Sequence, residues 1–127
     1  MERLFLVLAG INGFLGVALG AFGAHGLRGS LANAADGARR LEVWETAARY
    51  QLLHALALGL VAYLTTRSQS QAAALAGYLF QAGIVIFSGS MYALTLSGVR
   101  ALGAITPFGG LALLAGWACL VLAALRL

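Results

Sequence analysis

Four long apolar runs, separated by short polar segments, dominate the pattern along the chain. Three of them reach the ~20 residues that span the hydrocarbon of a bilayer, and the second reaches it when its first turns lie among the headgroups. The first run is long for the apolar core of a signal peptide, so we interpret it as a membrane helix. The runs lack the period-two alternation of barrel strands, which predicts helices. They extend over residues 4–24, 50–64 with a helical lead-in from residue 41, 72–96 and 107–125.

The last two connections are short enough to set the topology. Residues 65–71 force the second and third helices to be antiparallel, and the segment around residues 97–100 does the same for the third and fourth. Thr106 and Pro107 are suited to the N-cap and the first position of the fourth helix. An up-down-up-down arrangement follows.

The first connection, residues 25–41, is the longest. Within it Leu27, Leu31 and Ala35 recur four apart, which is typical of a short amphipathic helix lying in the membrane interface. We therefore predict an all-α membrane protein. Its fold is an antiparallel four-transmembrane-helix bundle with a short interfacial amphipathic segment between helices 1 and 2, in one domain over residues 1–127.

Composition supports this class. The 127 residues are 61% hydrophobic and only 9% charged, with a mean hydropathy of +0.91, which leaves too little polar surface to cover a soluble globule. The formal charge of +4 comes from eight arginines. They lie mostly singly at the ends of apolar runs, so they are interpreted as interfacial anchors and no nucleic-acid binding is expected. The single cysteine excludes an internal disulfide.

Small residues are candidates for close helix packing. Asn12, Gly16 and Gly20 recur four apart on the first helix, and Gly16 to Gly20 is a GxxxG pattern. We expect helices one and four, like helices two and three, to make close small-residue contacts. The alternative is that glycines are scattered by a composition of 17 glycines. The candidate packing positions are Asn12, Gly16, Gly20, Gly109, Gly110 and Gly116.

Residues 44–54 place charged and polar side chains in the first turns of the second apolar helix. Glu45 and Arg49 are four apart, as are Tyr50 and His54, so each pair lies on neighbouring positions of one face. The predicted topology places this stretch on the same side of the membrane as the ends of the other helices that carry polar residues. Ionisable groups at membrane depth rarely face lipid, which predicts a polar pocket there. Its candidate residues are His25, Glu45, Arg49, Tyr50, His54, Ser88, Ser90, Tyr92 and Thr106.

His54 is the deepest ionisable residue of this set. If the hydrocarbon begins near Tyr50, His54 lies ~6 Å inside it. An imidazole facing acyl chains would leave its nitrogens unsatisfied at a cost of several kcal/mol. We expect His54 to face the interior and to bond a hydroxyl or carboxylate such as that of Tyr92, Ser88 or Glu45.

Simpler interpretations stay open for several of these residues. Glu45 and Arg49 form an interfacial ion pair equally well, and Trp44 fits an aromatic belt. His25 and His54 lack the carboxylate or thiol spacing of a metal or haem site. A serine hydrolase would need a nucleophile elbow, which the sequence lacks. We predict no catalytic residues, no metal ligands and no cofactor.

Four sequence blocks are distinctive. They are GAFGAHG at residues 20–26, the stretch from WETAARYQLLHALA at residues 44–57 onward, FSGSMY at residues 87–92 and GAITPFGG at residues 103–110. Together they resemble the bacterial family called domain of unknown function 423, related to the eukaryotic transmembrane protein 256, and they cover essentially the whole chain in the family's order. The resemblance implies a four-helix multipass protein of the plasma membrane, with no assigned reaction, substrate or cofactor.

Two classes of function are compatible with the sequence. A small binding or assembly protein, acting as a homo-oligomer or within a larger membrane complex, is favoured, because four helices barely enclose a pathway and no run is interrupted mid-membrane. The alternative is a transporter-like or quinone-binding protein that uses His54, Tyr50 and Glu45. Membrane lipid is an expected partner in either case, and an enzyme is the less expected outcome.

Arginines also predict an orientation. Five lie on the side of the first and third connections and three on the other side. The positive-inside rule then places these connections in the cytoplasm and both termini outside a bacterial inner membrane.

Overall fold

Four long helices account for most of the chain, and the computed structural model describes all 127 residues. Each helix is long and apolar enough to cross a membrane, so the protein is a multipass membrane protein and the all-helical prediction is confirmed. The helical elements are α1 (Glu2–Phe22), a π-helical turn (Gly23–Leu27), α2 (Arg28–Ser30), α3 (Gly37–Arg67), α4 (Gln71–Ser97), a 3-10 turn (Arg100–Ala104) and α5 (Thr106–Ala124).

Local sequence explains where the later helices begin and end. The Ser70 hydroxyl accepts a hydrogen bond from the Ala72 N–H at 3.1 Å and caps α4. At the other end, Gly98 adopts a left-handed conformation with φ of 74°, which a residue with a Cβ adopts only with strain. Pro107 lies in the first turn of α5, where its missing N–H costs nothing.

The two central helices are α3 and α4, which pack antiparallel; α1 lies along α3 and α5 lies along α4. The central helix α3 is more buried than the outer helices. Of its most apolar stretch, 56% is buried inside the protein, against 17% for the corresponding stretches that contain α1 and α5. The main core is built around Phe5, Leu58, Phe80 and Leu113. The outer helices therefore present most of their surface to lipid.

Glycines allow the close contacts of both outer helices. Gly16 faces Leu52 of α3, and a Cβ at Gly109 would meet the backbone of Phe87 in α4. The close pairs are thus α1 with α3 and α4 with α5. A direct pairing of the first and fourth membrane helices is not the arrangement adopted, because the central α3–α4 pair lies between them.

The first connection begins as a continuation of α1 and ends in a turn. α1 continues without a break through the π-helical turn to Ser30, and a turn over residues 31–36 leads into α3. Leu27 and Leu31 are buried against Trp44, whereas Ala35 is exposed. The segment therefore keeps an apolar side, and that side is covered by protein.

The aromatic-belt interpretation of Trp44 is wrong. Trp44 is only 2% exposed, and its Nε1 donates a hydrogen bond of 2.7 Å to the Leu19 carbonyl oxygen. Its ring lies edge-on to Tyr92 at 4.6 Å between centroids. Gly23 leaves the space that the indole occupies, since a side chain at this position would collide with the ring. Trp44 therefore locks α1 onto α3.

Candidate functional site

The nine polar residues predicted to share a pocket are divided among several places. Glu45 pairs with Arg28 of α2 at 3.7 Å, and both side chains are well exposed. Arg49 and His25 are exposed and make no side-chain hydrogen bond or ion pair. These four residues belong to the surface on the side of the 31–36 and 98–105 connections, which we call the connection side.

Serine and threonine hydroxyls join helices instead of lining a cavity. Ser88 Oγ donates to the Ala47 carbonyl oxygen at 2.8 Å, across the α3–α4 contact. The hydroxyls of Ser90 and Thr106 lie 2.7 Å apart and link α4 to α5. Such bonds are a common way of holding membrane helices together.

A buried polar network connects α1, α3 and α4. The Tyr92 hydroxyl donates to Gln51 Oε1 at 2.7 Å, Gln51 Nε2 donates to Asn12 Oδ1 at 3.1 Å, and Asn12 Nδ2 donates to Gln81 Oε1 at 2.8 Å. No buried side-chain nitrogen or oxygen lacks a partner. The network holds the three helices in register and leaves no buried polar group unpaired.

Sequence reasoning missed Gln51 and Gln81 in this network. Both could have been recognised from the sequence, because an amide within a membrane helix is costly unless its hydrogen bonds are made to another helix. Asn12 was singled out, but for packing, and its burial at 4% exposure agrees with an interior position.

His54 is buried, at 5% exposure, as its sequence position predicts. Its Nδ1 lies 2.8 Å from the Tyr50 carbonyl oxygen, and its Nε2 lies 3.0 Å from Trp117 Nε1. An indole nitrogen only donates, so Nε2 accepts and Nδ1 carries the proton. His54 is held as one neutral tautomer.

The expected hydroxyl or carboxylate partner for His54 is wrong. Ser88 and Tyr92 are bonded elsewhere, and Glu45 pairs with Arg28. The indole of Trp117, in the fourth apolar run, supplies the bond instead.

Aromatic rings surround His54. Tyr50 stacks on it with ring centroids 6.0 Å apart, and Trp117 meets it edge-on at 5.7 Å. Phe80 lies beneath it at 5.6 Å, and Tyr50 also contacts Phe87 at 4.7 Å. The imidazole is therefore part of an aromatic wall.

This wall borders a groove of about 550 Å³ between α3, α4 and α5. The groove opens toward lipid, since Leu111 and Leu114 at its edge are 62% and 67% exposed. Along α5 it runs from Pro107 to Trp117, about 15 Å at the helical rise, which is about half the hydrocarbon thickness of a bilayer. Its lining residues are Tyr50, His54, Phe87, Pro107, Gly110, Leu111, Leu113, Leu114 and Trp117.

Comparison with known proteins gives one consistent result. A family model described as "Protein of unknown function (DUF423)" matches residues 19–110. The chain is 44% identical over 125 residues to the UPF0382 membrane protein YwdK of Bacillus subtilis, covering 98% of each chain. It is 44% identical over 124 residues to the UPF0382 membrane protein SERP0230 of Staphylococcus epidermidis, covering 98% of this chain and 97% of that one. No solved structure matches.

Proposed function

The chain belongs to the DUF423 family, whose description assigns no activity, and from its geometry we propose that it is a small lipid-binding protein that holds a hydrocarbon chain in the groove. The observation that carries this proposal is the groove itself, an apolar, aromatic-walled channel of about 550 Å³ that opens to the bilayer. Because its relatives are bacterial membrane proteins, we propose the plasma membrane as its location.

The chemistry of the lining favours a hydrocarbon ligand. The volume lies within the roughly 300–1,000 Å³ typical of small-molecule sites. The walls are leucine side chains and aromatic rings, which pack well against methylene groups. Of the polar groups in the lining, both His54 nitrogens and the Trp117 N–H are already bonded to one another or to backbone. Only the Tyr50 hydroxyl is without a partner within the chain, so little in the groove would recognise a polar ligand.

The transporter-like or quinone-binding alternative has less support. It required His54, Tyr50 and Glu45 to converge on one ligand. Glu45 instead pairs with Arg28 of α2, and both nitrogens of His54 are engaged. The three residues therefore do not form one polar site.

The assembly interpretation was favoured because four helices barely enclose a pathway, and its contact surfaces would be the glycine faces and the polar end. Gly16 and Gly109 are buried within the chain against α3 and α4, so these positions do not provide a surface for a second copy. Assembly as a homo-oligomer stays a prediction from the sequence, and the groove does not depend on it.

Trp117 provides a direct test, because it lines the groove at 39% exposure while the other tryptophan, Trp44, is 2% exposed. The full-length protein is reconstituted in vesicles of phosphatidylcholine carrying bromine on one acyl chain. Bromine quenches Trp117 fluorescence when a chain occupies the groove. In the Gly110→Leu variant the added side chain enters the groove, so we expect quenching to fall by about half or more.

Gly110 is suitable because a Cβ there would lie 3.8 Å from Phe87 Cδ2, an ordinary contact. The matched control is Gly10→Leu on the lipid-exposed face of α1, where nothing lies within 4 Å. The control should quench like the unmodified protein. Equal quenching in Gly110→Leu and Gly10→Leu would show that no chain occupies the groove and would overturn the proposed function.

A further inference from the structure

A basic recess lies at the connection side, beyond the Pro107 end of the groove. It has a volume of about 200 Å³ and combines three arginines with one acidic residue. The residues that matter for its charge are Asp36, Arg39, Arg40 and Arg100. The recess therefore carries a net positive charge where the polar headgroups of a bilayer would lie.

Two of these arginines have free guanidinium groups, and the third is fixed. Arg40 Nε donates to the Thr95 carbonyl oxygen at 2.9 Å, and the Thr95 hydroxyl donates back to the Arg40 carbonyl oxygen at 3.0 Å. Arg39 and Arg100 are exposed and have no carboxylate within 4 Å, because the two ion pairs of the chain are Arg28–Glu45 and Arg40–Asp36. Arg40 builds the recess, and the other two are available to an anion.

The recess and the groove are lined by different residues of the same helices. On α3, Val43 lines the recess and Tyr50 lines the groove. On α4, Leu94 lines the recess and Phe87 lines the groove. Each pair is seven residues apart, two turns on one helix face and about 10 Å along the axis. The third wall continues from Gly103 in the recess to Pro107 in the groove.

We propose that recess and groove form one site for a phospholipid with an anionic headgroup, with the phosphate at Arg39 and Arg100 and an acyl chain along the groove. This inference rests on the proposed function and adds the chemical class of the lipid. Guanidinium groups bind phosphate through paired, charge-assisted hydrogen bonds. Basic pockets at the end of membrane helices suit such headgroups. The groove is about as long as the hydrocarbon of one leaflet is thick, so it can hold an acyl chain that starts at that headgroup.

The test compares bromine-labelled phosphatidylglycerol with bromine-labelled phosphatidylcholine in mixed vesicles, using Trp117 quenching of the full-length protein. We expect a preference for phosphatidylglycerol on the order of tenfold in the unmodified protein, since two arginines act on one anion. Arg39→Gln with Arg100→Gln should abolish the preference and keep the quenching by phosphatidylcholine. The matched control, Arg3→Gln with Arg126→Gln at the opposite side of the membrane, should keep the preference.

Each outcome decides between the two proposals. Equal quenching by both lipids, or the same loss of preference in both double variants, would overturn the anionic-lipid inference. If Gly110→Leu still lowers quenching in that case, the proposed function of the groove stands. If Gly110→Leu also has no effect, both proposals fail. A final arm adds soluble glycerol 3-phosphate. Displacement of the lipid by this compound at equal concentration would identify a soluble phosphate as the ligand and overturn the assignment to a lipid.

Discussion

At the scale of single residues, the bond between Trp117 and His54 is the most informative contact. It is the one side-chain hydrogen bond that joins α3 to α5, two helices that otherwise share few contacts. Because the indole donates to Nε2 and the Tyr50 carbonyl accepts from Nδ1, both helices and the tautomer are fixed together. This contact also sets one edge of the groove.

Removing the indole N–H should therefore destabilise the protein through His54. In Trp117→Phe the ring is largely kept, but Nε2 of His54 loses its donor. We expect a coupling energy of about 1 kcal/mol between the two positions, as for other hydrogen bonds between membrane helices. Unfolding in a denaturing detergent measures it in a double-mutant cycle with His54→Phe. Strictly additive effects in the cycle would contradict the bond.

The burial of a polar residue was easier to predict than the group to which it is hydrogen-bonded. The burial of His54 followed from the cost of an unsatisfied imidazole in hydrocarbon. Its partner did not, because α5 is apolar around most of its circumference and its sequence carries no mark of the face that meets α3. The partner of Gln51 was not predictable either, although an amide in a membrane helix signals that it needs one. Hydrogen-bond partners depend on the rotation of each helix, which the apolar pattern leaves open.

At the scale of helices, two neighbouring glycines on α5 differ in what they contact. A Cβ at Gly109 would collide with the backbone of Phe87, whereas a Cβ at Gly110 would only touch its ring at 3.8 Å. Backbone cannot move aside as a flexible side chain can. Of these two neighbouring glycines, Gly109 is therefore the one that the contact between α4 and α5 requires.

This pair gives a matched test of close helix packing. Gly109→Ala should separate α4 from α5 and lower the free energy of unfolding by about 1–3 kcal/mol, the usual cost of overpacking. Gly110→Ala is the control and should be nearly neutral. The measurement is thermal unfolding in detergent followed by circular dichroism. Equal stability of the two variants would contradict the close approach assigned to Gly109.

Helix positions followed closely from the runs of apolar residues. The third run, residues 72–96, became α4 (Gln71–Ser97), and the fourth, residues 107–125, became α5 (Thr106–Ala124). The first helix overran its predicted end, continuing through the π-helical turn to Ser30. Backbone groups near a membrane are best satisfied within a helix, and the side chains there pack on Trp44. That cover comes from α3 and is not visible in the local sequence.

At the scale of the whole molecule, composition alone fixes the class, and the order of packing creates the site. A 61% hydrophobic chain of this length has no soluble alternative. The groove exists because α5 packs along α4 and touches α3 at few points, which leaves a channel between them. The short connections predicted that successive helices are antiparallel. They did not predict where the outer helices lie against the central pair, which depends on side-chain contacts such as that of Trp117 with His54.

The orientation in the membrane is the remaining property of the whole molecule, and the arginines predict it. Arg28 and Arg49 count toward the connection side only if they are not enclosed by protein. The Arg28 side chain is 66% exposed and Arg49 is exposed as well, so both act on orientation together with the exposed Arg39 and Arg100. Arg40 contributes less, because its side chain is 18% exposed and pairs with Asp36. We expect the connection side in the cytoplasm and both termini outside.

Reporter fusions test this orientation. A reporter that is active only in the cytoplasm should be inactive when fused after Leu127. The matched control is the same reporter fused after Val99, in the connection before α5, where it should be active. The reverse pattern would place the basic recess on the outer face. The anionic lipid proposed for the recess would then have to come from the outer leaflet, because Arg39 and Arg100 turn over with the rest of the molecule.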